Sequence, residues 1–187
     1  MKTSIIRIEK LLVGIGLLLI SIQGNSQDNK PSKEERKAAK RDKDYYNFQV
    51  VDTMVENKSF VLEADYLENQ YGVKRPVNSL INFIKLDSLK AVLQTGSNLA
   101  MGSNGVGGST AEGSISGLKI TKNIKNLTFF LRFTIVSNIG IYDVSMTINS
   151  NKYARAEISG LGPGKLVYDG YITNLWESRA YKGQNSL

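Results

Sequence analysis

Beyond residue 59 the chain alternates apolar and polar side chains at every second residue, a pattern typical of half-buried β-strands. Residues 127–137 and 141–149 show it most clearly, with a three-residue connection between them. In both segments every second residue is apolar, and most of the residues between are polar or charged. The two segments are therefore predicted to form an antiparallel hairpin that buries one face.

Shorter segments repeat the pattern on either side of this hairpin. Predicted strands lie at 60–65, 78–86, 89–95, 114–121, 153–159 and 165–173. Together these make about eight short strands with tight connections, which predicts an all-β fold built as an antiparallel meander. Eight strands can close a small barrel, and closure removes exposed edges, whereas a two-sheet, barrel-like sandwich is the alternative.

A helix is predicted before the first strand, within residues 27–58. Ser32 and Glu35 have the spacing of a capping box, in which each side chain bonds the other residue's backbone N–H. The residues that follow Glu35 are good helix formers without an apolar face. We expect this first half of the helix to project.

The second half of the helix has an apolar stripe that should pack on the β domain. Tyr46, Val50 and Met54 recur every four residues and share one helical face. On the nominally outer face of strand 127–137, Phe130 and Val136 are also apolar. We therefore expect the helix to cover that outer face.

The N-terminal segment has the three parts of a secretory signal peptide. Lys2, Arg7 and Lys10 give it a positive start, and residues 11–22 form an apolar run of twelve residues. Gly24 and Ser26 then place small side chains where a signal peptidase reads. Cleavage is expected after about Ser26, since the run is shorter than the ~20 residues of a membrane-spanning helix. An uncleaved anchor is the alternative.

These observations predict four parts of the chain. Residues 1–26 are the signal peptide, 27–58 a linker and charged helix, 59–175 the antiparallel β domain and 176–187 a C-terminal tail. The mature protein is expected to be periplasmic or extracellular and not to span the membrane.

Composition removes several kinds of chemistry. The chain has neither Cys nor His, which excludes disulfides, thiolate nucleophiles and histidine-based triads or metal sites. Its formal charge of +7 is of mixed sign and lies largely in residues 1–44, so nucleic acid is not an expected partner. We predict no catalytic residues, no metal site and no cofactor.

The glycine-rich stretch at 96–113 superficially resembles a phosphate-binding loop. Gly108 stands where a P-loop needs Lys, and Thr110 stands where the dinucleotide pattern begun at Gly105 needs Gly. A predicted strand, not a helix, follows. We therefore expect a long mobile loop at one end of the barrel, with a role as a ligand lid or partner-binding loop left open.

Carboxylates and tyrosines supply the remaining candidates. Glu63 and Asp65 are expected on the solvent face of their strand. Asp143, Glu157 and Asp169 come from neighbouring strands and could meet, as the paired carboxylates of a glycosidase do. Four tyrosines are expected chiefly in the core, with the lining of a sugar or lipid pocket as the alternative: Tyr142, Tyr153, Tyr168 and Tyr171.

Several segments together resemble a known family. They are KEERKAAKR, KSFVLEADYL, FIKLDSLKAVLQTGSN, TFFLRFTIVSNIGIYDVSMTIN and GKLVYDGYI, in that order after the leader. The chain resembles the exported Bacteroidota family known as domain of unknown function 4251. The resemblance implies an envelope or extracellular location and an antiparallel β fold, and it carries over no activity and no binding residues.

The sequence thus favours a non-catalytic binding module for a small apolar or amphipathic ligand or an envelope protein. An interior pocket would support it, whereas a barrel filled by the side chains of Phe129, Phe133, Met146 and Ile148 would count against it. A structural or interaction protein that uses residues 28–44 as its contact element is the alternative. An enzyme acting on an envelope polymer is the least favoured, and no oligomeric state is indicated.

Overall fold

The computed structural model describes residues 31–97, 104–160 and 164–186. The chain divides into two compact units, residues 1–37 and residues 38–187. The predicted signal peptide at 1–26 lies outside the described residues. In the first unit the predicted capping box is confirmed, because the Ser32 N–H donates to Glu35 Oε2 at 2.7 Å and the Glu35 N–H donates to Ser32 Oγ at 3.2 Å.

The described residues form one helix and nine strands. The helix, α1, runs from Lys33–Glu56. The strands are β1 (Ser59–Glu68), β2 (Lys74–Pro76), β3 (Phe83–Asp87), β4 (Lys90–Gln94), β5 (Thr110–Asn123), β6 (Thr128–Ser137), β7 (Gly140–Asn149), β8 (Tyr153–Ser159) and β9 (Lys165–Thr173).

The strands close into an antiparallel barrel. From β3 to β9 each strand pairs with the next, and β1 pairs with both β3 and β9. The barrel therefore has eight strands, and the short β2 extends the sheet beside the second half of β1. This confirms the predicted all-β meander and selects the barrel over the sandwich.

The interior of the barrel is a continuous apolar core. The predicted inward faces of β6 and β7 are buried in it, including Phe129, Phe133, Met146 and Ile148. On β8 two of the three inward residues are alanines, and one of them, Ala156, lies in register with the buried Tyr168 of β9. A small residue beside a large one lets the two strands share the interior space.

Helix α1 completes this core from one end of the barrel. Its buried residues Phe48, Val51, Met54 and Val55 join the same cluster as the inward strand residues. The rings of Phe48 and Phe129 stack with centroids 4.6 Å apart. Phe129 is close to the first residue of β6, and α1 leads directly into the first residue of β1, so the helix meets the barrel at the end where these strands begin.

The prediction that the helix covers the outer face of β6 is wrong. Phe130 and Val136 are 46% and 43% exposed. The predicted stripe also packs only in part, because Met54 is buried and Val50 partly buried, whereas Tyr46 is 65% exposed. The buried face of α1 packs instead on inward side chains, because the open end of the barrel offers a larger apolar surface than two isolated residues on its outside. At the rim, Lys122 Nζ pairs with Asp52 Oδ1 at 2.7 Å and with Glu56 Oε1 at 2.6 Å.

The strand predicted at 78–86 begins later than expected, at Phe83. Asn78 makes a turn before it, accepting from the Leu80 N–H at its side-chain oxygen and from the Ile81 N–H at its carbonyl. The following hairpin turns at Ser88 and Leu89 rather than at Asp87 and Ser88, with Ser88 in the left-handed region at φ 59°.

The C-terminal segment, residues 174–186, runs along the outside of the barrel. Leu175 and Ala180 pack on a second small core formed by Val61, Phe83 and Val92, which point outward from β1, β3 and β4. Further along, the Tyr181 N–H donates to the Leu80 carbonyl at 2.7 Å and the Ser186 N–H to the Thr110 carbonyl at 3.0 Å. We call this segment the tail; it crosses from one end of the barrel to the other.

Candidate functional site

The first pair of carboxylates lies on the outer face of β1, and the tail covers one of them. Glu63 Oε1 accepts from Ser178 Oγ at 2.6 Å and from the Arg179 N–H at 3.1 Å. Asp65 is exposed at a bulge that shifts the pairing of β1 with β9. Glu63 therefore anchors the tail, and the two carboxylates do not form a site.

Asp143 and Glu157 do share one groove, a depression of about 260 Å³ on the outer face of β6, β7 and β8. Asp143 accepts from Thr134 Oγ1 at 2.7 Å, and Glu157 pairs with Lys165 Nζ at 2.8 Å. Both carboxylates are exposed. An acid–base pair needs two environments that separate the roles of its members, and two solvated carboxylates with separate partners lack that difference.

Asp169, the third member of the predicted group, is buried elsewhere on the outer face, with only 1% exposure. Its carboxylate accepts from Lys74 Nζ at 2.9 Å, from Arg155 Nη1 at 2.8 Å and from the Tyr153 hydroxyl at 3.1 Å. Arg155 also reaches the carboxylate of Glu68, at 3.0 and 3.1 Å. Strands β1, β2, β8 and β9 all contribute to this ion cluster.

The charge state of Asp169 follows from its neighbours. Burial alone would raise the pKa of the carboxyl, but the hydrogen bond from Lys74 and the charge of Arg155 outweigh burial and hold that pKa below its usual range. The carboxylate is therefore ionised at neutral pH and compensated by two cations. Such a group stabilises the seam where β9 meets β1; it is not poised for proton transfer.

The tyrosines divide between the core and the surface. Tyr168 and Tyr142 are buried, which raises the pKa of both hydroxyls, and Tyr168 donates to the Gln94 carbonyl at 2.9 Å. Tyr153 and Tyr171 meet edge to face on the outside, with ring centroids 5.6 Å apart. The core assignment is confirmed for the first two and wrong for the exposed Tyr171.

The described parts of the glycine-rich stretch are tied to each other by hydrogen bonds. The Ser97 N–H donates to the Val106 carbonyl at 2.9 Å, and Asn104 Oδ1 accepts from the backbone N–H groups of Val106 and Gly108. The side-chain amide of Asn104 donates to Thr110 Oγ1 at 3.1 Å. Residues 98–103, the centre of the predicted mobile loop, lie outside the described ranges.

One feature that the sequence did not indicate is a cleft between α1 and the start of the tail. Trp176, the chain's single tryptophan, is 80% exposed there. It sits in a turn in which the Glu177 and Ser178 N–H groups both donate to the Asn174 carbonyl, at 3.1 and 3.0 Å. The turn therefore holds the backbone that carries the exposed indole.

We call this feature the Trp176 cleft. It has a volume of about 380 Å³ and is lined by Val50, Thr53, Met54, Asn57, Ser59, Asn174 and Trp176. Val50, Thr53 and Asn57 follow helical spacing, so one face of α1 supplies this wall. Every lining residue is uncharged, although 22% of the chain is charged.

The polar groups of the cleft retain free hydrogen-bonding capacity. Within the described residues the side chain of Asn57 forms no hydrogen bond, and Asn174 makes one long contact, from Nδ2 to Glu177 Oε2 at 3.4 Å. Thr53 donates its hydroxyl hydrogen to the Gln49 carbonyl, which leaves its oxygen able to accept. The cleft thus combines an aromatic face with amides and hydroxyls.

Sequence reasoning missed this cleft because its walls come from two distant parts of the chain. The only signal was a tryptophan just beyond the last strand, preceded by an Asn that favours turns. In the described ranges no three Asp or Glu side chains cluster as metal ligands would. No described helix is both long and apolar enough to cross a membrane.

Comparisons with known proteins give a family and a fold. The family model for DUF4251, a domain of unknown function, matches residues 42–172. The crystal structure of a DUF4251 family protein from Bacteroides eggerthii DSM 20697 superposes with a TM-score of 0.60, at 23% identity, over 71% of this chain and 91% of that one. No curated protein matches. The chain belongs to the DUF4251 family, as its sequence resemblance predicted.

Proposed function

We propose that this protein is an exported, non-catalytic binding module that holds an envelope component on the outside of its barrel, at the Trp176 cleft. The observation that carries the proposal is an exposed indole, mounted on a hydrogen-bonded turn beside amide groups that keep free hydrogen-bonding capacity. Export is supported by the pattern of residues 1–26.

An exterior site is favoured because the interior is occupied. Phe129, Phe133, Met146 and Ile148 are all buried in one core with the helix residues. That arrangement counts against the apolar ligand inside the barrel that the sequence favoured. Binding sites of closed small barrels then have to lie at their ends or on their outer surface.

The exposure of Trp176 supports a recognition role. A tryptophan buries a large apolar area when it packs, so leaving it 80% exposed forgoes that stabilisation. Tryptophan is also among the residues most enriched at the energetic centres of binding surfaces. A binding partner that covers the indole would recover the burial that folding leaves unused.

The non-catalytic part of the proposal is supported by the surroundings of the carboxylates. Asp169 is neutralised by two cations, and Asp143 and Glu157 are solvated with separate partners. The chain also has no His and no Cys, the side chains that most often serve as catalytic base and activated nucleophile.

The proposal is tested by measuring how solubilised cell-envelope fragments of the host organism bind the immobilised full chain. Trp176→Ala should weaken binding about tenfold or more, as expected for a central contact. Tyr181→Ala is the matched control, since Tyr181 is also an exposed aromatic of the tail and contacts the barrel through its backbone. Equal binding by wild type and Trp176→Ala, or no binding by wild type, would refute the proposal.

A second candidate, an interaction protein that uses the charged helix, has one observation in its favour. Residues 31–43 are exposed throughout, so this part of α1 presents its charges to solvent. If this candidate is right, deleting residues 28–44 should abolish capture of envelope partners, and the separate variant Trp176→Ala should capture them as well as wild type does. The opposite pattern supports the Trp176 cleft.

A further inference from the structure

We propose that the ligand of the Trp176 cleft is a neutral saccharide, such as a short stretch of an uncharged envelope or extracellular glycan. This assignment rests on the proposed function, because it names the chemical class that the same site would hold. Three properties of the cleft lead to it: its aromatic face, its polar groups with free hydrogen-bonding capacity and its lack of charge.

The aromatic face suits the less polar face of a sugar ring. The C–H groups on one side of a pyranose carry partial positive charge, and the face of an indole carries the negative part of its quadrupole. Trp176 presents such a face to solvent. Tyr46 lies one helical turn before Val50 and is 65% exposed, so α1 carries a second ring on the same side as the wall of the cleft.

The polar groups suit sugar hydroxyls. A hydroxyl both donates and accepts, and so does a side-chain amide, so Asn57 and Asn174 can each pair with vicinal hydroxyls. Thr53 and Ser59 add hydroxyl oxygens to the same lining. A purely apolar ligand would cover these groups without offering them hydrogen-bond partners, which is unfavourable for each group that it buries.

The lack of charge distinguishes a neutral sugar from other envelope components. Phosphorylated or acidic glycans and lipid headgroups are bound by Arg, Lys or helix N-termini, and none of these lines the cleft. The wall supplied by α1 belongs to the last two turns of the helix, where exposed carbonyls disfavour anions. The volume of about 380 Å³ falls at the small end of the range for small-molecule sites.

The single tryptophan makes the test direct, because all tryptophan emission of the full chain comes from Trp176. We would titrate the protein with neutral oligosaccharides of glucose, mannose, galactose and N-acetylglucosamine. An oligogalacturonate and a neutral alkyl detergent below its micelle concentration provide the acidic and the amphipathic comparisons. We expect a saturable change in emission with at least one neutral oligosaccharide and none with the acidic one.

Substitutions of residues that line the cleft show whether the saccharide binds there. Asn57 is exposed at the end of α1, so Asn57→Ala should fold normally and weaken saccharide binding at least fivefold by calorimetry. Trp176→Ala should abolish binding, and Tyr181→Ala should leave the affinity unchanged. Saccharide binding that Asn57→Ala and Trp176→Ala both leave intact would overturn the assignment.

The outcomes separate this inference from the proposed function. If envelope fragments bind through Trp176 but every neutral oligosaccharide fails and the detergent changes the emission, the cleft binds an amphipathic ligand and only the saccharide assignment is wrong. If the fragments bind equally well to Trp176→Ala, the site itself is wrong, and the saccharide assignment falls with it.

Discussion

At the scale of single residues, Asp169 shows how a charge can be buried on the outside of a barrel. A carboxylate without solvent must be compensated, and here Lys74 and Arg155 supply the charge while Tyr153 donates a third hydrogen bond. Because the cations remain partly exposed, each is still hydrated on its far side. The cluster therefore stabilises the pairing of β1 with β9 while its positive groups keep part of their hydration.

Replacing Asp169 should destabilise the protein in a pH-dependent way. Asp169→Asn should lower the free energy of unfolding at pH 7 by about 2–4 kcal/mol, because it leaves Lys74 without its anion and Arg155 with Glu68 alone. The pKa of Asp169 is lowered in the folded state, so its contribution is present above the unfolded pKa of about 3.9 and is lost as the pH falls through the folded value. Urea unfolding of both proteins at pH 7 and at about pH 2.5 checks this.

The control for that measurement is Asp65→Asn, which changes an exposed carboxylate near the same seam. It should alter stability by no more than about 0.5 kcal/mol. A difference between wild type and Asp169→Asn that stays the same in acid as at pH 7 would contradict the role assigned to this charge.

At the scale of elements, α1 and the tail are structural parts of the barrel. The helix contributes four side chains to the interior, and one of them, Phe48, stacks on Phe129. The tail covers the outward apolar residues of β1, β3 and β4. Both elements therefore cover apolar surface that the barrel strands alone would leave exposed.

Phe48→Ala should lower the free energy of unfolding by about 3–4 kcal/mol, since it opens a cavity beside Phe129 at a position that is buried in the core. Tyr45→Ala, which truncates an exposed ring one turn earlier, should change it by about 0.5 kcal/mol or less. Thermal and urea unfolding give both values. A similar loss for the two variants would mean that α1 does not complete the core.

Gln94 anchors the tail to the barrel and should be sensitive to an apolar replacement. Its side chain donates to the carbonyls of Ile81 and Tyr181 and accepts from Thr110 Oγ1 and the Gly183 N–H. Gln94→Met keeps the side-chain volume but leaves these partners without their hydrogen bonds. We therefore expect the free energy of unfolding to fall by about 2–4 kcal/mol.

Limited proteolysis should also cleave the tail of Gln94→Met faster than that of wild type. Gln184→Met, an exposed change within the tail, provides the control and should behave as wild type. Equal cleavage of Gln94→Met and wild type would show that the network does not hold the tail.

The sequence predicted those elements whose burial alternates strictly and missed those whose burial depends on distant partners. The inward and outward residues of β6 and β7 followed from period two alone. The three-residue β2 was not predicted, because all of its residues are exposed and so show no alternation of apolar and polar side chains. The position of α1 was wrong because Phe130 and Val136 suggested a covered face, and alternation cannot tell an exposed apolar residue from a covered one.

At the scale of the whole molecule, the closed and filled barrel determines where a ligand can bind. Closure depends on pairing β1 with β9, which are separated by about a hundred residues, and no local pattern encodes such a contact. The Trp176 cleft is equally non-local, since Asn57 and Trp176 line it from positions more than a hundred residues apart in the chain. The number of predicted strands indicated that a barrel could close, but no sequence pattern indicated where the cleft would lie.

A filled interior should reject additional volume. Ala156→Phe places a ring beside the buried Tyr168 and should destabilise the protein by about 1–3 kcal/mol through overpacking. Ser159→Phe, on the outer face of the same strand, should be within about 0.5 kcal/mol of wild type. If Ala156→Phe left the stability unchanged or raised it, the barrel would contain an internal cavity, and a ligand bound inside the barrel would again be the favoured hypothesis.

The most direct test of the account is to map by NMR where a ligand from the host's envelope glycans touches the isotope-labelled full chain. The account predicts that shift changes centre on the indole N–H of Trp176 and the side-chain amides of Asn57 and Asn174, and that the core signals stay in place. Changes centred on Phe133 and Met146, with the indole unaffected, would place the ligand inside the barrel and contradict the account.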